Sequence, residues 1–171
     1  VIRVRYFEGQ LLSAADFQAE QDYLRGRFRR LHRWLHGWGI VGGLGVSLQQ
    51  GQIVVAPGLA IDCVGDEIEV VQPTCVALPA GGKVSHLTLA YAERAVDLQP
   101  ALFDRPAADE MSIQYRRIEE GRVFTLEAAD PSRRHARNPC GRAHPIVIAR
   151  LVRVGSRWRL DRRFRPVRAR S

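Results

Sequence analysis

A mainly β chain, a sandwich or small barrel preceded by one long N-terminal α-helix, is what this sequence predicts. Three observations carry the prediction. From Val46 onward, apolar residues alternate or run in short stretches broken by Gly, Pro and Asp. Before Val46, one stretch repeats its apolar residues at helical spacing. An apolar content of 46% over 171 residues suffices for one sizeable core. The expectation is a single domain over 1–171, with a helix over 13–36, a sandwich-like core over 45–166 and a basic tail over 167–171.

The helix start is well specified. Ser13 suits an N-cap, Asp16 stands where a capping carboxylate reaches back, and Leu12 with Phe17 have the spacing of a hydrophobic staple. Asp16, Glu20 and Asp22 lie in the first half and Arg25, Arg27, Arg29, Arg30 and Arg33 in the second, which complements the helix dipole; Gly37 supplies the stop. Phe17, Leu24 and Leu31 recur every seven residues, interleaved with Gln21, Phe28 and Leu35, so one apolar seam runs the length of the helix. Asp22, Arg29, Arg30 and Arg33 face away from it. Two fates are open to such a seam: packing on the protein's own sheet, the commoner outcome for a single amphipathic helix, or pairing with a second copy.

Two motifs flank the helix. Tyr6, Phe7, Gly9 and Gln10 precede it, and Gly37, Trp38, Gly39 and Gly43 follow it within HGWGIVGGLGV. The glycine run Gly39 to Gly45 has the look of a phosphate loop. Such loops follow a strand and open a helix, whereas this one closes a helix and enters a strand, so glycine-rich backbone packing beneath Trp34 and Trp38 is expected instead.

Strands are expected at 2–6, 45–48, 52–55, 59–63, 67–71, 85–93, 112–118, 122–127, 146–154 and 158–161, with turn chemistry at Gln50-Gly51, Pro57-Gly58, Gly65-Asp66, Gly81-Gly82 and Gly155-Ser156. Two Pro-bearing irregular segments, 97–110 and 128–145, are the expected variable contact surfaces.

Candidate chemistry is thin. Cysteines 63, 75 and 140 are odd in number and widely spaced, with no C-x-x-C, which points to reduced and mostly buried thiols. Cys140, His144 and His135 share one loop and could ligate zinc, but without a second cluster the plainer reading is a turn set by Pro139 and Pro145. His32 and His36 lie one helical turn apart, where His36 is more simply a cap residue. Asp62, Asp66 and Glu67 have the letters of an acid/base pair or a calcium loop, and equally those of a tight turn, which is preferred. No G-x-S-x-G and no H-E-x-x-H occurs. No catalytic residue, cofactor or metal is therefore assigned.

The formal charge is +8, nearly all of it arginine, since Lys83 is the only lysine. Arg29, Arg30 and Arg33 on the helix and Arg162, Arg163 and Arg165 near the C-terminus form a candidate basic patch suited to carboxylates, phosphate or an acidic partner. No helix-turn-helix or RNA-binding signature accompanies the C-terminal cluster, so an Arg-mediated nucleic-acid binder is the runner-up reading rather than the first. No apolar run approaches the roughly 18–20 residues of a membrane span and no leader pattern opens the chain; no membrane insertion and cytoplasmic synthesis are expected.

YFEGQLLSAADFQAEQDY with LHGWGIVGGLGV resembles a family of bacterial proteins that begin Tyr-Phe-Asp-Gly-Gln-Leu-Leu and leave their helix through Leu-His-Gly-Trp-Gly-Val-Val-Cys-Gly-Leu, some of them from loci of phage-tail-like contractile injection systems. The order of elements is also similar to the N-terminal part of the type VI secretion baseplate subunit, whose shoulder domain resembles that of phage receptor-binding proteins. PGLAIDCVGDEIEV, LTLAYAERAVDLQP and HPIVIARLVRVGSRWRLDRRFRP extend the likeness. Glu8 stands for the common Asp and Gly42 for the usual Cys. The resemblance implies a non-enzymatic structural or adaptor subunit of a tail-like particle, docking a fibre, spike or effector, made in the cytoplasm, homo-oligomeric and bound to other subunits of the assembly.

Overall fold

The computed structural model describes residues 2–100, 113–131 and 143–170. The chain is mainly β. Among the described residues, one helix, α1 (Ala14–Leu31), continues into a π-helical turn at His32–His36, and ten strands follow: β1 (Gly39–Gly43), β2 (Val46–Gln49), β3 (Gln52–Val55), β4 (Gly58–Ile61), β5 (Glu67–Val70), β6 (Thr74–Ala77), β7 (Val84–Pro100), β8 (Ile113–Glu127), β9 (Ile146–Val154) and β10 (Arg157–Leu160). They form three antiparallel sheets, ordered β1-β4-β5, β2-β3-β6 and β10-β9-β7-β8.

Alternation decides the small sheets. In β3 and β5 every second residue, Ile53 and Val55, then Ile68 and Val70, is buried. These side chains meet Ile40, Leu44, Leu87, Leu89, Ile146 and Leu151 in one core. β9 is different: Ile146, Val147, Ile148 and Ala149 are all buried, because this inner strand is covered on both faces, and an unbroken apolar run results. The β2–β3 hairpin turns through Gln50 and Gly51, both left-handed at φ 47° and 76°, the combination that matches the twist of a two-residue hairpin.

Several expectations are corrected. Residues 2–6 form no strand, and Ile2 is 93% exposed. The glycine run beyond Trp38 is itself a strand, β1, paired with β4. β6 at Thr74–Ala77, unforeseen because Pro73 and Pro79 bracket so short a run, closes the edge of the β2-β3-β6 sheet. The two strands expected at 112–118 and 122–127 are one, β8, which runs straight through Gly121 opposite Ala92. Correspondingly β7 extends through residue 97, where irregular chain was expected, to Pro100. Asp97 takes a left-handed φ of 65° there and faces Arg116 at 3.0 Å and Arg117 at 3.6 Å.

The expected basic tail is part of the fold. Ile40 donates its N–H to the Val167 carbonyl at 2.9 Å, and Ala169 returns a bond to the Ile40 carbonyl at 3.1 Å. Gly39 permits this approach, since a Cβ there would lie 2.6 Å from the Val167 oxygen.

Candidate functional site

The N-terminal motif builds the approach to the helix. Gly9, at φ 80°, lets the chain reverse so that Gln10 donates its N–H to the Phe7 carbonyl at 3.2 Å, while the Gln10 side-chain oxygen accepts the Phe7 N–H at 3.2 Å. Tyr6 donates its hydroxyl to Glu20 at 2.8 Å, tying this turn back to α1. The capping box forms as the spacing implies: the Ser13 hydroxyl accepts from the Asp16 N–H, and Asp16 accepts from the Ser13 N–H at 2.8 Å. Hydrogen bonds from the Ser13 hydroxyl, and then from its N–H, hold the Asp16 carboxyl below its ordinary range.

The mount of the helix inverts the usual arrangement. Arg29 makes a two-pronged bond to Asp66, Nε to Oδ1 at 2.5 Å and a terminal nitrogen to Oδ2 at 2.9 Å. His32 sets Nδ1 3.0 Å from the Gly65 carbonyl and Nε2 3.3 Å from Glu67. Arg25 reaches Glu93 at 2.5 Å, and His36 Nδ1 lies 3.1 Å from the Arg170 carbonyl. Residues 25, 29, 32 and 36 share one face at spacings of three and four. The polar face is therefore the one that meets the β-domain.

The socket is the turn between β4 and β5. Asp62, buried, accepts the N–H groups of Val64, Gly65 and Asp66 on one oxygen, which sets the turn and aims Asp66 at the helix. Burial nonetheless pushes the Asp62 carboxyl up from its ordinary value, outweighing those bonds. Gly65, at φ 99°, lies directly against the Arg29 carbonyl, where a Cβ could not be accommodated. Across the mount, a hydrogen bond from the Tyr91 hydroxyl, then the Arg25 guanidinium, holds Glu93 below its ordinary range. Burial, with that same bond, drives the Tyr91 phenol up.

The seam is left outside. No residue of α1 is buried, and Phe17, Leu24, Phe28, Leu31 and Leu35 are 47–58% exposed, with Gln21 exposed among them. Among the described residues the chain's own sheets do not bury the seam, the commoner fate for such a helix. The reason is geometric: the arginine–carboxylate contacts turn the opposite face inward. Trp34 is likewise 69% exposed rather than packed over the glycines. Trp38 does pack, edge-on to the His144 ring at 4.7 Å and against the core. Gly37, at φ 72°, ends the helix by donating to the His32 carbonyl, and Gly43 faces Pro57 too closely for any Cβ.

The basic patch divides by role. Arg29 is consumed by Asp66, and Arg165 folds back on the carbonyls of Arg162 and Phe164. Arg33 is half-buried with its Nε unbonded, whereas Arg30, Arg162 and Arg163 are exposed. Of the zinc candidates, Cys140 and His135 lie outside the described residues, and His144 sits against Trp38 with Nδ1 3.1 Å from the Pro145 carbonyl. Among the described residues no group of three or more His, Cys, Asp or Glu is placed to hold a metal ion. Cys63 is buried as expected, but Cys75 on β6 is exposed. Among the described residues no helix is long and apolar enough to cross a membrane.

Sequence reasoning found the seam and missed the socket. Asp66, Gly65 and Glu67 were legible only as a turn, and Glu93 as part of a strand. The signal was the spacing of Arg25, Arg29, His32 and His36, which marks a second functional face.

The arrangement of one helix on antiparallel sheets is similar in fold to a type VI secretion baseplate subunit. Solved structures of TssK from the type VI secretion system are among those that share it. With a chain of the TssK-TssF-TssG baseplate subcomplex, the TM-score is 0.57 at 17% identity, over 97% of this chain and 62% of that one. With the crystal structure of TssK it is 0.55 at 17% identity, over 94% of this chain and 40% of the other. With TssK from EAEC bound to a nanobody it is 0.52 at 17% identity, over 88% and 54%. This chain thus spans only 40–62% of the length of these neighbours. No protein-family model and no curated protein matches the sequence.

Proposed function

We propose that this chain is a non-enzymatic structural subunit of a phage-tail-like particle, seated in a baseplate, and that the seam of Phe17, Gln21, Leu24, Phe28, Leu31 and Leu35 is its interface with further copies of itself. The observation that carries this reading is the exposed seam on a helix already pinned by its polar face. A helix free to rotate would turn its apolar residues inward; one held by Asp66, Glu67 and Glu93 presents them to a partner. Each large side chain so covered contributes on the order of 1.5–3 kcal/mol. The shared fold of baseplate subunits supplies the class of assembly. In it the subunit would hold a fibre, spike or effector to the baseplate or tail, be made in the cytoplasm, travel with the particle and be released with it.

The test is oligomer mass. Sedimentation equilibrium of the full chain should give a multiple of the 19.2 kDa protomer, and Leu24→Arg should reduce it to one protomer with an unchanged circular dichroism spectrum. A single protomer for the unaltered chain, or an unchanged mass for Leu24→Arg, refutes the seam as a self-interface.

A further inference from the structure

Away from the helix, an open groove of about 1060 Å³ runs beside β10. Its lining takes in both faces of the strand, Trp158 and Leu160 on one, Arg159 and Asp161 on the other, so it follows the strand's edge. Among the described residues that edge is open: β10 ends its sheet and pairs with β9 alone. The floor is apolar, with Leu48, Val152 and Trp158 half-buried, and the indole is fixed by its N–H bond to the Pro79 carbonyl at 3.1 Å. Four guanidiniums border it. Arg150 is taken by Asp161 at 3.3 Å, while Arg159, Arg162 and Arg163 are exposed and face no carboxylate among the described residues.

We propose that this groove docks an extended acidic segment of another protein, laid along the free edge of β10 with its carboxylates on Arg159, Arg162 and Arg163 and an apolar side chain on Trp158 and Leu48. The chemistry selects this occupant. An open edge offers backbone donors and acceptors that only an extended chain satisfies in series. Guanidinium forks match planar carboxylates two bonds at a time. A tryptophan floor ringed by arginines is the composition of a binding hot spot. Single-stranded nucleic acid fits less well, because stacking successive bases needs a row of aromatic faces and, among the described residues, Trp158 is the one aromatic side chain lining the groove. The proposal is independent of the helix seam.

Fluorescence anisotropy of the full chain with a labelled peptide of alternating Glu and Val tests it. The expected result is binding at low salt, no binding of the Lys/Val counterpart, and affinity weakened on the order of tenfold or more by the surface pair Arg162→Glu/Arg163→Glu. Arg3→Glu/Arg5→Glu, outside the groove, should bind as the unaltered chain does, and so should Leu24→Arg, which separates this site from the seam. Failure of the Glu/Val peptide to bind overturns the proposal, as does equal binding by the Arg162→Glu/Arg163→Glu chain. Displacement of the peptide by a tighter-binding single-stranded DNA that needs the same arginines also overturns it, in favour of nucleic acid.

Discussion

In β9 four consecutive apolar residues, Ile146 to Ala149, are buried, whereas in α1 not one residue is, although Phe17, Leu24, Phe28 and Leu31 are as apolar as anything in the strand. The strand sits between β7 and β10 and under both faces of the core, so its side chains find partners within the chain. The helix is held by charge on its other side. What the contrast teaches is that amphipathicity sets which residues group together, and a few polar contacts then choose which group faces home.

Substitutions can break that contrast at either end, and the largest effect belongs to the core. Leu151→Ala should cost roughly 2–5 kcal/mol in urea unfolding, since Leu151 is fully buried and its cavity has well-packed walls. Next comes the socket: Gly65→Ala places a Cβ against the Arg29 backbone at a left-handed φ, with an expected cost of about 1–3 kcal/mol to helix docking. Hydrogen exchange would show this as faster exchange in α1 with the β9 amides still protected. Asp66→Ala removes the two-pronged bond to a half-exposed arginine and should cost about 1 kcal/mol by the same readout.

A pH series sharpens the comparison further. Asp16 and Glu93 both titrate lower in the fold than outside it. Their contribution is whole above the unfolded carboxylate value of about 4 and is lost as pH falls through the folded values. Helix docking should loosen in acid before the core melts, visible as α1 exchange rising ahead of the loss of tertiary fluorescence. The smallest effect is expected on the seam: at concentrations where the chain is a single protomer, Leu24→Ala should shift stability within about 0.5 kcal/mol, because Leu24 is 47% exposed. A loss comparable to Leu151→Ala would mean the seam packs internally after all.

Local patterns were readable where one neighbour along the chain decides them. The Ser13–Asp16 box, the seam, the Gln50-Gly51 hairpin and β9 all follow from spacing and propensity over a few residues. What escaped depended on remote partners. β1 is a strand because β4 pairs with it, and Gly39 and Gly43 are required because a Cβ on them would collide with Val167 and Pro57. β8 crosses Gly121 without a break because β7 continues opposite it. The arginines on α1 had the letters of a free basic face, and only the placement of Asp66 and Glu93 made two of them anchors.

By itself, then, the sequence determined that a capped amphipathic helix precedes an antiparallel β-domain, and it grouped the seam residues on one side. Periodicity and capping act within a few residues, so they are written locally. Only the tertiary structure decided which side of the helix faces the sheets, that the C-terminal segment straps β1, and that β10 ends its sheet beside Arg159, Arg162 and Arg163, which face no carboxylate among the described residues. Those outcomes depend on contacts between residues dozens of positions apart, and no local pattern records the sign of a charge on the far side of the fold.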